Sequence, residues 1–326
     1  MQALRVLSLF DGISCGHVAL DRAEIPVEVY YASEIDKYAI QITQKNYPDT
    51  IQLGDINNID FTQFAGKIDL IMGGSPCQDL SIAGKRAGLK GERSGLFYKF
   101  VEAIQTIKPK YFLLENNYNM PQDAYEEISR LMGCYPVLID SALVSAQSRK
   151  RLYWTNVGPQ QFNLFGFPNC DIPQPKDKKI ILKDILEKGV CYQNKAHCLT
   201  TRYDRAVFPH DYLKHKKTFV FEPVCLNSKS GRKDGKAKQP SLQDRIYSVM
   251  GKSISMSQFQ AKYKIDLPDG KYIIRKLSPI ECERLQTLPD NYTEGVSNTQ
   301  RYKAIGNGWT VDVIAHIFSF WEDKCG

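Results

Sequence analysis

No apolar run among the 326 residues approaches the roughly 20 residues needed to cross a membrane. The opening "MQALRVLSLFDGIS" reaches Asp11 without a basic start or a long apolar core, so no signal peptide is expected. Cysteine is present nine times, an odd number, scattered, and never as a CxxC pair. That pattern argues for a reducing compartment and against both a disulfide framework and a structural zinc site. The dinucleotide fingerprint GxGxxG is also missing, which opposes a nicotinamide-dependent oxidoreductase. What is there is ordinary for a folded protein: 43% hydrophobic and 24% charged residues. The length allows a substantial core, as one large domain or a large one plus a small one. The net charge of +7 leans toward a polyanionic partner without naming one.

The first half alternates strand-like and helix-like segments. "LRVLSLF" (4–10), "VEVYYAS" (27–33), "KIDLIMGG" (67–74), "KYFLLEN" (110–116) and "YPVLIDSALV" (135–144) read as strands. Gly16–Ala23, Lys37–Asn46, Leu96–Ile107 and Gln122–Met132 read as the helices between them. The alternation predicts a parallel sheet with helices on both faces, which binds ligands at the carboxyl ends of its strands. The pattern breaks after "RLYWTNVG" (151–158). Pro159, Pro168, Pro173 and Pro175 then mark a linker rather than a regular element. From about Asp177 to Lys271 the chain is irregular, polar and basic, and regular patterning returns at 274–290 and in a helix over Val311–Trp321. The expected layout is a catalytic domain over 1–158, an inserted domain over 159–273, and a return segment, 274–326, that completes the first.

Several strand ends carry groups suited to a nucleoside. "LSLFDGISCG" (8–16) is a strand, a glycine-bearing turn and a helix, a common cradle whose backbone N–H groups face a ligand. Phe10 there is placed for an adenosyl group or a sulfonium, unless it simply packs in the core. Glu34, with Asp36 as competitor, stands where such folds hold ribose hydroxyls. Asp55 could accept from an adenine amino group while Ile56 packs on the ring. Each acid alone could equally be a helix cap.

"GGSPCQDLS" (73–81) sets Cys77 just after an apolar strand and before a glycine-rich, charged segment. A free thiol with a pKa near 8.5 is only about 3% ionised at neutral pH, so a nucleophile there needs cationic neighbours. Arg149 and Arg151, at alternate positions of one strand, are candidates. Glu115, behind four apolar residues in "FLLEN", is a carboxylate that is costly to bury unless paired or protonated.

Taken in order, these motifs resemble those of the cytosine-5 DNA methyltransferases over residues 4–158 and 274–320. "SLFDGISCG" is similar to that family's first motif, "GGSPCQDLS" to its Pro-Cys-Gln nucleophile motif and "ENN" to its Glu-Asn-Val motif. "QSRKRLY" resembles its Gln-x-Arg-x-Arg motif, "RKLSPIECERLQTLPD" its ninth and "IGNGWTVDVI" its last. Two departures stand out. Asn117 replaces the family valine, and Phe-Asp-Gly-Ile replaces Phe-x-Gly-x-Gly. "FDGI" and the Trp of "GNGWTV" are similar to the mammalian de novo enzymes, although the chain has the compact size of a bacterial or phage enzyme.

The resemblance implies a Rossmann-like α/β fold binding S-adenosylmethionine, with a smaller, irregular target-recognition domain. It implies catalysis by Cys77, Glu115, Asn116, Arg149 and Arg151. Cys77 would attack cytosine C6 while Glu115 hydrogen-bonds or protonates N3, in a base flipped out of the duplex. Phe10, Gly12, Ile13, Glu34, Ile35, Asp55, Ile56, Pro76, Asn307 and Trp309 would hold the cofactor. Gln78, Ser81, Lys85, Arg86, Arg93, Thr200, Arg232 and Lys233 would meet DNA, in keeping with nine Lys/Arg against three acids from Lys214 to Arg245. Implied partners are double-stranded DNA and, in a restriction-modification setting, a cognate endonuclease. No metal and no membrane are expected, and the chain is read as a cytoplasmic monomer of a bacterial or phage-infected cell. A tRNA cytosine-5 methyltransferase and a non-catalytic DNA-binding homologue are the competing readings.

Overall fold

The computed structural model describes residues 2–75, 95–164, 166–205, 218–223 and 272–321. Its centre is a seven-stranded sheet built from β1 (Leu4–Leu9), β2 (Val27–Ser33), β3 (Ile51–Gln52), β4 (Leu70–Gly73), β5 (Tyr111–Asn117), β6 (Val137–Asp140) and β7 (Lys150–Thr155). The strand order is β3-β2-β1-β4-β5-β7-β6. The crossovers of its parallel part contain α1 (Cys15–Arg22), α2 (Lys37–Asn46) and α3 (Gly95–Ile107); α4 (Gln122–Met132) joins β5 to β6. β1 lies between β2 and β4, and Leu4, Val6, Leu7 and Leu9 are all buried. A strand covered on both faces has no reason to alternate, which is why "LRVLSL" reads as nearly continuous apolar sequence.

The sheet departs from the expected parallel pattern at one strand. β7 runs antiparallel to both β5 and β6, with Glu115 opposite Tyr153 and Asn117 opposite Arg151. The connection from β6 is only residues 141–149, shorter than a crossover between parallel strands requires, so β7 must return antiparallel. The "RLYWTNVG" stretch, expected to close the pattern, thus supplies an interior strand.

A second correction concerns the proline-rich linker. It holds an antiparallel hairpin of β8 (Gln160–Phe162) and β9 (Pro168–Cys170). Proline is tolerated because Pro159 precedes the first strand and Pro168 opens the second, where a missing N–H costs little.

Beyond the hairpin come α5 (Leu182–Ile185) and the antiparallel pair β10 (Phe219–Pro223) and β11 (Tyr272–Lys276). Three helices close the chain: α6 (Pro279–Leu285), α7 (Asn298–Asn307) and α8 (Val311–Phe318). α6 starts with a reciprocal cap readable in "LSPIECERL". The Ser278 hydroxyl accepts from the Glu281 amide at 3.1 Å, and the Glu281 carboxylate accepts from the Ser278 amide at 2.8 Å. Among the described residues two apolar clusters result. The larger surrounds the sheet and includes Val311, Val313, Ile314 and Ile317 of α8, which packs on α1. The smaller gathers Leu182, Leu199, Phe219, Phe221, Cys282, Leu285, Tyr302 and Ile305. Helix α6 packs in the second cluster and α8 in the first, while α7 gives Tyr302 and Ile305 to the second and Ala304 to the first. No helix among the described residues is long and apolar enough to cross a membrane.

Candidate active site

A cavity of about 480 Å³ opens at the carboxyl ends of β1, β2, β4 and β5 and is closed on one side by residues 304–309. Its first wall is made by the turn after β1. Phe10, Gly12 and Ser14 all have left-handed backbone, with φ of 58°, 63° and 56°. For the two non-glycine residues this costs about 1–3 kcal/mol each, strain of the kind that collects at ligand sites. Hydrogen bonds hold the turn in place. The Gly12 amide donates to Glu34 Oε2 at 2.8 Å, the Ser14 hydroxyl to Asp11 Oδ2 at 2.5 Å, and the Tyr30 hydroxyl to Asp11 Oδ1 at 2.7 Å. Burial pushes the Asp11 carboxyl above its ordinary range against these donors.

Glu34 and Asp36 separate clearly. Asp36 caps α2 through the Tyr38 amide at 3.0 Å and pairs with Lys303 at 2.6 Å. Burial alone would raise its carboxyl, but Lys303 and the amides of Tyr38 and Ala39 outweigh that and hold it low. Glu34 lines the cavity as Asp36 does, but has no cationic partner there among the described residues and accepts from the amides of Gly12, Ile35 and Asp36, each at 2.8 Å. Burial raises its carboxyl despite those three amides. A carboxylate offers about four lone-pair sites, so acceptor capacity remains on Oε2. Beside it Ile35, an apolar side chain on the cavity wall, is 75% exposed. Asp55 lines the same cavity and also caps a short turn through the Asn57 amide at 2.9 Å, so the cap does not take it away from the cavity. Phe10 and Trp309 are half-buried on the wall, Ile13 and Ile56 are buried behind it, and Asn307 is exposed at its rim.

The opposite wall carries charge. Glu115, buried at the end of β5, accepts from Arg151 Nε at 2.7 Å on Oε1 and from Trp309 Nε1 at 3.2 Å on Oε2. Arg151 also donates to the Lys150 carbonyl at 2.8 Å and approaches Asn117 Oδ1 at 3.4 Å. Asn116 donates to the Ser75 hydroxyl at 3.2 Å, and its own carbonyl accepts from the Asn117 amide at 2.7 Å. Arg149 is 5% exposed and lines the cavity. Its donors reach the Leu199 carbonyl at 3.2 Å, Cys198 Sγ at 3.3 Å and the Gly308 carbonyl at 3.0 Å. It braces the segment around 198–199 against the turn after α7.

Thr200 is exposed, and its backbone presses against Gly306 of α7, where a Cβ would come within 2.5 Å of it. Cys77, Pro76, Gln78, Ser81, Lys85, Arg86, Arg93, Arg232 and Lys233 lie outside the described residues. Two half-buried cysteines have partners of their own: Cys191 donates to the Phe219 carbonyl at 3.5 Å, and Cys198 meets Arg149.

The places of Asp11, Cys15 and Cys198 in the site escaped the sequence reading. Asp11 and Cys15 line the cavity, and Cys198 lies against both arginines at 3.3 and 3.9 Å. Burial raises the Cys198 thiol, but the two guanidinium charges outweigh it and bring it below the ordinary value. Asp11 had a usable signal, an acid inside an otherwise apolar turn. Cys198 had none, because its arginines are 47 and 49 residues away.

The profile of the C-5 cytosine-specific DNA methylases matches residues 4–321. The chain belongs to that family. It is accordingly an enzyme of that class, a DNA (cytosine-5) methyltransferase, and the motif resemblance is borne out over nearly its whole length. It is 25% identical to the orphan methyltransferase M.SPRI of Bacillus phage SPR, covering 98% of this chain and 97% of that one. It is 26% identical to the type II methyltransferase M.HhaI of Haemophilus parahaemolyticus, covering 97% and 94% respectively. In fold it is similar to the Entamoeba histolytica methyltransferase EhMeth, with a TM-score of 0.69 over 100% of both chains at 14% identity.

Proposed function

We propose that this methylase transfers a methyl group from S-adenosylmethionine to C5 of a cytosine flipped out of a specific duplex DNA sequence, through a covalent Cys77–C6 adduct. The observation that carries the reading is one cavity that joins the Glu34 wall to the Glu115–Arg151 pair. A nucleoside cofactor suits the first wall: the cavity has the size of a small-molecule site, with an apolar Ile35 face and spare acceptor capacity on Glu34. Phe10, Gly12, Ile13, Glu34, Ile35, Asp55, Ile56, Pro76, Asn307 and Trp309 would hold it, and when bound it supplies the methyl group.

The remaining chemistry belongs to the chain. The Cys77 thiolate attacks C6, and Glu115 hydrogen-bonds or protonates N3, which turns a poorly nucleophilic C5 into an enamine carbon. After methyl transfer, loss of the C5 proton and departure of the thiolate restore the aromatic base. Arg151 and Asn116 orient Glu115, while Arg149 keeps the 198–199 segment against the pocket. We assign 1–158 and 274–326 to the catalytic part and 159–273 to target recognition, with Gln78, Ser81, Lys85, Arg86, Arg93, Thr200, Arg232 and Lys233 on the DNA. The protein acts as a cytoplasmic monomer, with a cognate endonuclease as partner if it serves a restriction system.

The test is methyl transfer to duplex DNA and to tRNA, read by bisulfite sequencing of both. A 5-fluorocytosine duplex should additionally trap the wild type but not Cys77→Ser on a denaturing gel. Methylated tRNA with untouched DNA, or an adduct that survives Cys77→Ser, would overturn the reading.

A further inference from the structure

We infer that Trp309 is a positioning residue for Glu115, so that one side chain serves both the cofactor wall and the proton step at the base; this rests on the function proposed above. The two oxygens of Glu115 are held from two separate elements, Oε1 by Arg151 Nε at 2.7 Å and Oε2 by the Trp309 indole N–H at 3.2 Å. Indole is a donor only, as is guanidinium, so each oxygen must accept on its clamped side. Any proton that Glu115 gives or takes therefore travels by the lone pairs these donors leave free. A cofactor-stacking ring alone would have no need to aim its nitrogen at a carboxylate 194 residues away.

The surrounding backbone preserves this contact. Gly74 follows β4 directly beneath it, and a Cβ there would lie 2.8 Å from Glu115 Oε2 and 3.1 Å from Trp309 Nε1. Only a bare α-carbon leaves the two groups room to meet. Trp309 is also anchored through its neighbours. The Gly308 carbonyl accepts from Arg149 at 3.0 Å and from Gln286 at 3.1 Å, and the Thr310 hydroxyl donates to Gln286 at 2.8 Å. The indole is thus fixed before any substrate arrives, as a positioning group must be.

Trp309→Phe keeps an aromatic wall and removes only the N–H. Two readouts separate positioning from cofactor contact: S-adenosylhomocysteine affinity by calorimetry, and tritium release from [5-³H]cytosine DNA with S-adenosylhomocysteine present. The second reports attack at C6 and the N3 step without methyl transfer. Trp309→Phe should slow tritium release and kcat by about 10–100-fold, less than the roughly 10²–10⁴-fold of losing an acid–base group outright because Glu115 itself remains, with affinity and KM for the cofactor unchanged within about twofold. In a Glu115→Gln background the same change should add nothing, since the partner it positions is gone. If Trp309→Phe does not fold, Gly74→Ala, which pushes the pair apart from below, should give the same split. Wild-type tritium release from Trp309→Phe, or release and affinity falling together, would reduce Trp309 to a cofactor contact. A wild type that neither releases tritium nor methylates DNA would instead defeat the functional proposal itself.

Discussion

The two walls of the cavity are built from different materials. The wall after β1 and β2 is held by bonds within two neighbouring strand–turn units: Glu34 binds the amides of Ile35 and Asp36 next to it and of Gly12, 22 residues back, and Ser14 binds Asp11 three residues away. The wall at β5 and β7 is held by side chains brought from far apart, with Arg151 and Trp309 on Glu115 and Arg149 on Leu199 and Gly308. The first is a pre-shaped cradle in which backbone amides do the work; the second is a charge cluster whose members depend on one another. Local construction suits a cofactor recognised by shape, whereas mutual dependence suits a step that needs one carboxylate aimed.

The sharpest way to break this contrast is Arg151→Met. It strips Glu115 of its ion pair and leaves a buried carboxylate uncompensated, a change worth about 3–5 kcal/mol. The expected result is a lower denaturation midpoint with little turnover, measured by urea unfolding and methyl transfer; an undisturbed midpoint would show that the pair is not holding this wall. Next comes Glu34→Gln, which should leave the fold intact and weaken S-adenosylhomocysteine by about 1–3 kcal/mol, the scale of a lost hydrogen bond to a charged acceptor. Unchanged calorimetric affinity would remove Glu34 from the cofactor wall.

The smallest effect distinguishes the walls by their cysteines. Burial pushes the Cys15 thiol to about 12, whereas Arg149 and Arg151 overcome burial at Cys198 and lower it. A lowered thiol carries more thiolate at a given pH, so alkylation of Cys198 should reach half its limiting rate at lower pH than alkylation of Cys191, which burial pushes to about 12. Peptide mapping after pH-stepped iodoacetamide labelling checks this. Arg151→Met should move the Cys198 midpoint upward, and no movement would disconnect the thiol from the charge cluster.

Much of this was legible along the chain because its causes are local. Covered strands read as apolar runs, and Glu34, Asp55 and Glu115 announced themselves by standing at strand ends. The choice between Glu34 and Asp36 was not legible. Both line the cavity, and the difference depended on Lys303, a residue of α7 that pairs with the Asp36 carboxylate, while among the described residues Glu34 meets only backbone amides. The orientation of β7 was implied by a short connection, yet its place between β5 and β6 emerged only from the pairing of three strands.

The sequence by itself therefore determined the α/β alternation, the strand-end acids, the motif order and, through these, the family. Each depends on period, spacing or a contact within a few residues. Only the tertiary structure decided that Arg149 turns onto backbone carbonyls while Arg151 takes Glu115, that Cys198 lies between the two, and that Trp309 reaches the same carboxylate. Those contacts join segments up to 194 residues apart, and a hydrogen bond's direction is set by where the packed elements place donor and acceptor, which no local pattern records.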